Sequence, residues 1–390
     1  MFYLKYLRTK TQVGLIMLLS LISLPGSSNE LVPLPEQREG IPWPTSTWPE
    51  APLNPAIDQD AFNQAVDALF EARDERGTPD TRALLVIDHG RLVYERYAES
   101  FDRNSRFHSW SMAKSYTQAL TGILVKQGKL ELDAPAPVPE WQAADDPRKA
   151  ITLRQMLNMT TGIDNGDGAS SLFLGKALFG EGANDVNAYA AKRELVHEPG
   201  THWGYSTATS TLVAGIVGRT VADNREGRRA FFEDNLLHRI GAKDTVFEYD
   251  GNGQFLGGSH VWATARDYAR FGLFCLRNGV WEGKQVLPDG WIDFGRTAAP
   301  TENNGSHGAH FWVNEEPKGW QPEILPGGPR SAFTASGNGG QSVLMIPTHD
   351  LIIVRLGELN VMKWKALNEK LAAIFTTFPM PQSEEPTDAE

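Results

Sequence analysis

Ser109-Trp110-Ser111-Met112-Ala113-Lys114-Ser115 opens an apolar run that continues through Tyr116, Leu120, Ile123, Leu124 and Val125. The run has helical spacing, so Ser111 and Lys114 share one face near the N-terminal end of a helix. A serine hydroxyl attacks well only when a neighbour takes its proton, and a lysine takes that proton only when burial has brought its amine toward neutrality. The apolar surroundings of Lys114 supply the burial. Free backbone N–H groups at the helix start favour negative charge developing at Ser111. An exposed lysine one turn after a capping serine has the same four-residue pattern, so the rest of the chain has to decide.

Composition bounds the answer. A chain of 390 residues, 41% hydrophobic and with 11 tryptophans, is globular, with core enough for one large domain or two smaller ones. A net charge of −11 without a basic stripe argues against a nucleic-acid partner. Cys275 is the sole cysteine, which excludes an internal disulfide and a thiolate metal centre. His307 and His310 form a close pair with no third ligand in the pattern, so neither a metal nor a cofactor is expected.

Lys5, Arg8 and Lys10 precede an apolar run from Val13 to Leu24, and Pro25-Gly26-Ser27-Ser28 follows. Residues 1–28 therefore read as a secretory signal peptide. The run is shorter than the roughly 20 apolar residues of a comfortable membrane span, with an uncut anchor as the alternative. The expected product is secreted or periplasmic and has no stable membrane association. In residues 29–56, prolines recur from Pro33 to Pro55 around Trp43 and Trp48. Such a segment is neither helix nor central strand and reads as an extended arm held to the domain by its tryptophans, or else as a tether.

Residues 57–380 read as one domain of α/β (α+β) type. Phe62, Val66, Leu69 and Phe70 recur at helical spacing, giving a helix to about Arg76. Ala83 to Asp88 and Arg91 to Tyr97 are strands joined through His89-Gly90. From about 106 to 280 the pattern is mainly helical, including Ala188 to Glu198, Phe231 to Ile240, and Thr264 to Asn278, where Arg266 and Asp267 read as an ion pair. The passage from Asp164 to Asn184 has no clean periodicity and reads as a long loop or broken helix over the site. Strands at Ala309 to Asn314, Ser331 to Ser336, Ser342 to Ile346 and Leu351 to Leu356 lead to a helix from Val361 to Phe375. The acidic tail, 381–390, reads as disordered.

Two further stretches carry chemistry. His202-Trp203-Gly204-Tyr205-Ser206-Thr207 precedes a buried helix. A phenol there can relay a proton between nucleophile and leaving group, and Thr207 can hydrogen-bond Lys114 or a substrate. Ser336-Gly337-Asn338-Gly339-Gly340-Gln341 lies between two strands. Its glycines let the backbone pass close to another group, so the amide of Asn338 can complete an oxyanion hole begun by that of Ser111. Trp203, Trp312 and Phe173 read either as pocket lining or as core.

Ser111 with Lys114, then Tyr205, then the Gly337 segment resemble, in order, the three motifs of the serine β-lactamase and penicillin-binding protein superfamily. The likeness is greatest to its class C-like, esterase and 6-aminohexanoate-dimer hydrolase branch. Ile151-Thr152-Leu153-Arg154-Gln155, Pro199-Gly200-Thr201, Thr264-Ala265-Arg266-Asp267 and Gly340-Gln341 extend it from Ala83 to Gly357. The resemblance implies an antiparallel sheet flanked by helices with an inserted helical region. It also implies acyl transfer through a Ser111 acyl-enzyme, with Lys114 and Tyr205 moving the proton. Thr207 stands where the family often has asparagine, and the last motif lacks the lysine of Lys-Thr-Gly. A substrate carboxylate would lose its cation there, which ranks a small ester or amide above a β-lactam or D-Ala peptide. Arg330 is the one substitute charge in view. A catalytically silent relative that binds cell-wall peptide is the reading from a different class.

Overall fold

The computed structural model describes residues 31–73, 77, 78, 80–164, 170–316 and 323–380. The expected leader at 1–28 and tail at 381–390 lie outside the described residues. The ordered elements begin with α1 (Gln59–Glu71), whose cap Asp58 accepts from the amides of Asp60 and Ala61. β1 (Thr81–Asp88) and β2 (Arg91–Tyr97) follow. They are joined by His89 and Gly90 at φ of 51° and 78°, the two-residue turn whose twist suits a hairpin. β3 (Arg106–His108) leads through a 3₁₀ turn at Trp110–Met112 into α2 (Ala113–Lys126). Next come α3 (Leu153–Leu157), α4 (Ser170–Phe179), α5 (Val186–Ala191), α6 (Thr207–Val221) and α7 (Arg225–Phe232). β4 (Val246–Phe247), β5 (Val261–Thr264), α8 (Ala265–Leu276), β6 (Val280–Trp281), β7 (Lys284–Gln285) and α9 (Trp291–Gly295) complete the inserted region. β8 (Trp312–Val313), β9 (Phe333–Gly337), β10 (Gln341–Ile346), β11 (Leu351–Gly357) and α10 (Trp364–Phe375) close the chain.

The main sheet is antiparallel, in the order β2-β1-β11-β10-β9-β8. The near-continuous apolar runs of β1 and β11 are buried on both faces because side chains alternate across a strand. Ala83, Leu85, Ile87, Ile352, Val354 and Leu356 pack with α2 and α8. Leu84, Val86, Leu351 and Ile353 pack with Phe62 and Val66 of α1 and Leu371 and Ile374 of α10. Each of these side chains larger than alanine contributes roughly 1.5–3 kcal/mol on burial. The α2–α8 face carries the candidate site.

The arm docks largely by accepting hydrogen bonds, because proline has no N–H to give and the body supplies most of the donors. The Thr45 hydroxyl and the Ala51 amide donate in the other direction, to Glu282 (2.6 Å) and the Leu92 carbonyl (3.1 Å). Arg296 reaches the carbonyl of Val32 (2.6 Å), Arg277 that of Pro35 (3.3 Å) and the Gln37 side chain (2.9 Å), and Arg270 that of Pro44 (2.8 Å). The indole N–H of Trp281 donates to Thr45 (2.8 Å), and Trp48 is buried.

Several elements differ from their sequence reading. Arg266 and Asp267 are not a pair, because adjacent helical residues do not face each other. Arg266 holds Glu95 (2.5 Å) and Glu50 (3.1 Å), while Asp267 pairs with Arg270 (2.7 Å). The helix expected from Ala188 to Glu198 is α5, ending at Ala191, after which Leu195 bridges to Ile163. The helix expected from Phe231 starts at Arg225, where the Asn224 side chain caps it, and loosens into a π turn over Glu233–Leu237. Within 164–184, residues 170–179 form α4, and 165–169 lie outside the described residues. The strand read at Ala309 to Asn314 shrinks to Trp312–Val313, since His310 takes a φ of 62°.

Candidate active site

α2 is buried from Ala113 to Leu124, so its polar side chains must find partners inside the protein. Ser115, Thr117 and Thr121 donate to the carbonyls of His310 (2.7 Å), Gly257 (2.9 Å) and Thr117 (2.7 Å). The turn before the helix is tied to β5. The Ser109 amide donates to the Val261 carbonyl (2.8 Å), and the Val261 amide donates to the Ser109 hydroxyl (2.9 Å). Trp110 sits at a φ of 46°, a left-handed conformation that costs a bulky residue energy and that the flanking bonds must hold in place. It delivers Ser111, partly exposed, to the surface of the site.

Lys114 is the pivot. Its Nζ lies 3.1 Å from Ser111 Oγ, 3.2 Å from Thr207 Oγ1 and 2.5 Å from the Gly258 carbonyl. Burial alone pushes its pKa down to about 7. A neutral amine keeps two N–H donors and one lone pair. The Gly258 carbonyl can only accept and so takes one N–H, and Thr207 takes the other. The lone pair is left for the Ser111 proton.

Three consecutive carbonyls hold this end of the helix. Those of Gly257, Gly258 and Ser259 take bonds from Thr117, Lys114 and Ser109. A Cβ at Gly257 would collide with Thr117 and Ala214, and one at Gly258 would lie 2.9 Å from Thr207 Cγ2. His310 braces the opposite side. Its Nδ1 lies 3.0 Å from the Lys114 carbonyl, which can only accept, so Nδ1 carries the proton and Nε2 takes the Ser210 hydroxyl (3.1 Å). Burial, with Lys114 nearby, pushes the His310 pKa down to about 3, so the ring stays neutral. Among the described residues no cluster of three or more His, Cys, Asp or Glu is placed to hold a metal.

Tyr205 arrives on the turn before α6. The Gly204 amide bonds to the Met159 carbonyl (2.9 Å), and Ser206 caps the helix by accepting from the Thr209 amide (3.1 Å). The phenol faces Ser111, whose hydroxyl opposes the upward push of burial on its pKa. Trp312 stacks on the Tyr205 ring at 5.2 Å, and the His307 ring meets it edge-on at 5.6 Å. Trp203 closes the cluster at 6.2 Å from Trp312, its backbone clamped by Asn303. Lys114 Nζ lies 5.0 Å from the Tyr205 ring centre.

From the sheet side, Gly337 comes so close that a Cβ there would collide with the Ser109 carbonyl and lie 3.2 Å from the Ser111 nitrogen. Asn338 follows, exposed at the tip of the turn. The structure thus brings together Ser111, Lys114, Tyr205, Thr207 and Gly337, with Trp203 and Trp312 as an aromatic wall on Tyr205. Phe173 is core, its ring 5.8 Å from Tyr189. The sequence reading missed the Gly258 carbonyl and His310. The pair Gly257-Gly258 was the available signal for the first, and nothing in the spacing of His310 pointed to Lys114.

A pocket lined by Ser306, Trp312, Ile324, Ser336, Leu367 and Asn368 among others meets this centre at Trp312 and does not include Ser111, Lys114 or Tyr205; among the described residues its lining has no ionisable side chain. Arg330 donates to the Asn314 carbonyl (3.3 Å) and lies 3.7 Å from Glu323.

This chain is 26% identical over 337 residues to the 6-aminohexanoate-dimer hydrolase of Paenarthrobacter ureafaciens, covering 79% of each protein. Among solved structures it is similar to a family VIII carboxylesterase (TM-score 0.63, 14% identity, 84% of this chain and 99% of the other). It is also similar to a penicillin binding protein from Bacillus halodurans (TM-score 0.59, 15% identity, 81% and 99%). At such identities the structural likeness speaks for the fold. The Beta-lactamase family profile, by contrast, matches residues 66–373, a span that takes in the Ser111 turn, Lys114, Tyr205 and the Gly337 strand, and the chain accordingly belongs to that family.

Proposed function

We propose that this protein is a serine hydrolase that cleaves small, uncharged esters or amides through an acyl-enzyme on Ser111. The observation that carries the reading is the buried Lys114 amine, near neutrality and 3.1 Å from Ser111 Oγ. In this mechanism Lys114 accepts the Ser111 proton as Oγ attacks the carbonyl carbon. The amides of Ser111 and Asn338 hold the resulting oxyanion. The proton taken by Lys114 passes on to the leaving group by way of Tyr205, which faces Ser111 and ends the step neutral, as does Lys114. Water then attacks the acyl carbon and gives its proton to the same amine, which returns it to Ser111 Oγ as the acid leaves.

The segment that comes against Ser111, Ala335-Ser336-Gly337-Asn338, carries no cation, which favours a neutral substrate, since a carboxylate buried there would lack a counter-charge. β-Lactams and D-Ala peptides rank second for that reason, and Arg330, the substitute charge the sequence offers, already faces Glu323. Export rests on the leader pattern of residues 1–28 alone, and N-terminal sequencing of the protein recovered from cells tests it.

The function is tested with p-nitrophenyl acetate and butyrate, with nitrocefin as the lactam control. Turnover should favour the esters and fall at least about a thousandfold in Ser111→Ala. A fluorophosphonate should label Ser111. Absence of both label and Ser111-dependent turnover would leave a silent binder in this fold.

A further inference from the structure

Arg355 lies in the middle of β11, pairs in register with Leu84 and Ser342, and is 1% exposed. A guanidinium in that position is expensive unless every donor is used. Here its hydrogen-bond partners are all neutral oxygens, and the Asp80 and Glu358 carboxylates act on it only through space. Nη1 donates to the carbonyls of Gly339 (2.8 Å) and Gly340 (2.9 Å), Nε to the Thr81 hydroxyl (3.1 Å), and Nη2 to the Asp80 carbonyl. Burial pushes its pKa down to about 9. An apolar residue would fill a central strand at less cost, so the position calls for an explanation in what Arg355 grips.

It grips the turn that faces the nucleophile. Gly339 and Gly340 both take positive φ, 73° and 76°, and any Cβ at Gly340 would run into Leu359, Leu367 and the Arg355 guanidinium. These residues reverse the chain directly after Gly337, which lies against the Ser109 carbonyl and the Ser111 nitrogen. Gln341 secures the same turn by donating to the Asn338 carbonyl (3.2 Å) and accepting from the Gly357 amide (3.1 Å). Glycine-rich turns are otherwise the softest part of a strand connection. A planar cation with fixed donor geometry can hold two successive carbonyls at once, which an ammonium on a flexible stem cannot do with the same rigidity.

We propose that Arg355 is a positioning residue for hydrolysis at Ser111: from within the sheet it fixes the Gly337–Gly340 turn so that the amide of Asn338 meets the developing oxyanion. The inference rests on the serine-hydrolase reading above. A donor placed for the oxyanion acts on the transition state more than on the bound substrate. Loosening it therefore lowers kcat and leaves KM nearly unchanged.

The test compares wild type, Arg355→Lys and Thr81→Val in p-nitrophenyl butyrate hydrolysis, with active sites counted by end-point fluorophosphonate titration. Counting labelled sites separates lost folding from lost chemistry. Arg355→Lys keeps the cation but not the two-carbonyl grip, and its kcat per labelled site should fall about tenfold or more with KM within about twofold. Thr81→Val, which removes only the contact remote from the turn, should stay within about twofold in both parameters. Arg355→Lys with unchanged kcat per labelled site, whatever its yield, overturns the proposal, as does a loss confined to KM. Turnover that is absent in the wild type, or unchanged in Ser111→Ala, overturns the hydrolase reading itself and is recognised before either Arg355→Lys or Thr81→Val is compared.

Discussion

Lys114 has been moved from a pKa of 10.5 in water to about 7 by burial, with no acidic group contributing. Two consequences follow at the scale of the residue. As a base the amine works only when deprotonated, so kcat/KM should rise with pH through an apparent pKa near 7 and be lost below it, as a pH–rate profile on a neutral ester would show. The same burial works against the fold. Between pH 7 and about 10.5 the unfolded chain binds the proton that the folded chain refuses, so stability climbs with pH across that window. Lys114→Met should therefore abolish turnover yet stabilise the protein by about 1–4 kcal/mol at pH 6, a gain that shrinks toward pH 10 and is read by denaturant unfolding at each pH. A Tm unchanged or lowered at pH 6 would mean that the amine is not held against its preference.

At the scale of the element, the site is a meeting of three backbones: the Ser109–Met112 turn, the Gly257–Ser259 segment and the end of β9. Glycine stands where they touch. Gly337→Ala should push β9 away from Ser111, lowering kcat about a hundredfold or more at a stability cost of about 1–3 kcal/mol, measured by ester kinetics beside a thermal melt. Much of this scale was legible in the sequence, for definable reasons. The runs of β1, β2, β10 and β11 are bounded by turn residues and rich in branched side chains, so their period shows. Ser111, Lys114 and Tyr205 stood out because their chemistry is particular to their side chains. The Gly258 carbonyl did not, since a backbone acceptor has no residue type to betray it. His310 escaped for another reason. Its φ of 62° breaks the strand in which periodicity had placed it, and the strain is sustained by bonds to Lys114 and Ser210, 196 and 100 residues away. Local pattern carries no information about such partners.

At the scale of the molecule, the arm and the charge matter most. The arm is anchored by Trp48, 3% exposed, and by arginines of the body that reach its carbonyls. Trp48→Ala should cost about 3–5 kcal/mol and lower Tm accordingly, while leaving KM near its wild-type value, because none of those anchors touches the Ser111 centre. The net charge of −11 pulls protons toward every amine, Lys114 included. Added salt screens that pull, so the lower limb of the pH–rate profile should move a few tenths of a unit toward acid between about 0.01 and 0.15 M salt. That no carboxylate among the described residues acts on Lys114 then acquires a meaning beyond the empty protein. The nitrogen itself is already buried, but Ser111, its partner at 3.1 Å, is partly exposed, and a neutral guest that covers Ser111 takes the last nearby water from the pair. Occupancy itself readies the catalyst, so the kcat profile should titrate at a lower pH than kcat/KM, and an empty cleft rests with a large share of its amines still protonated at neutral pH, switched off until something neutral enters.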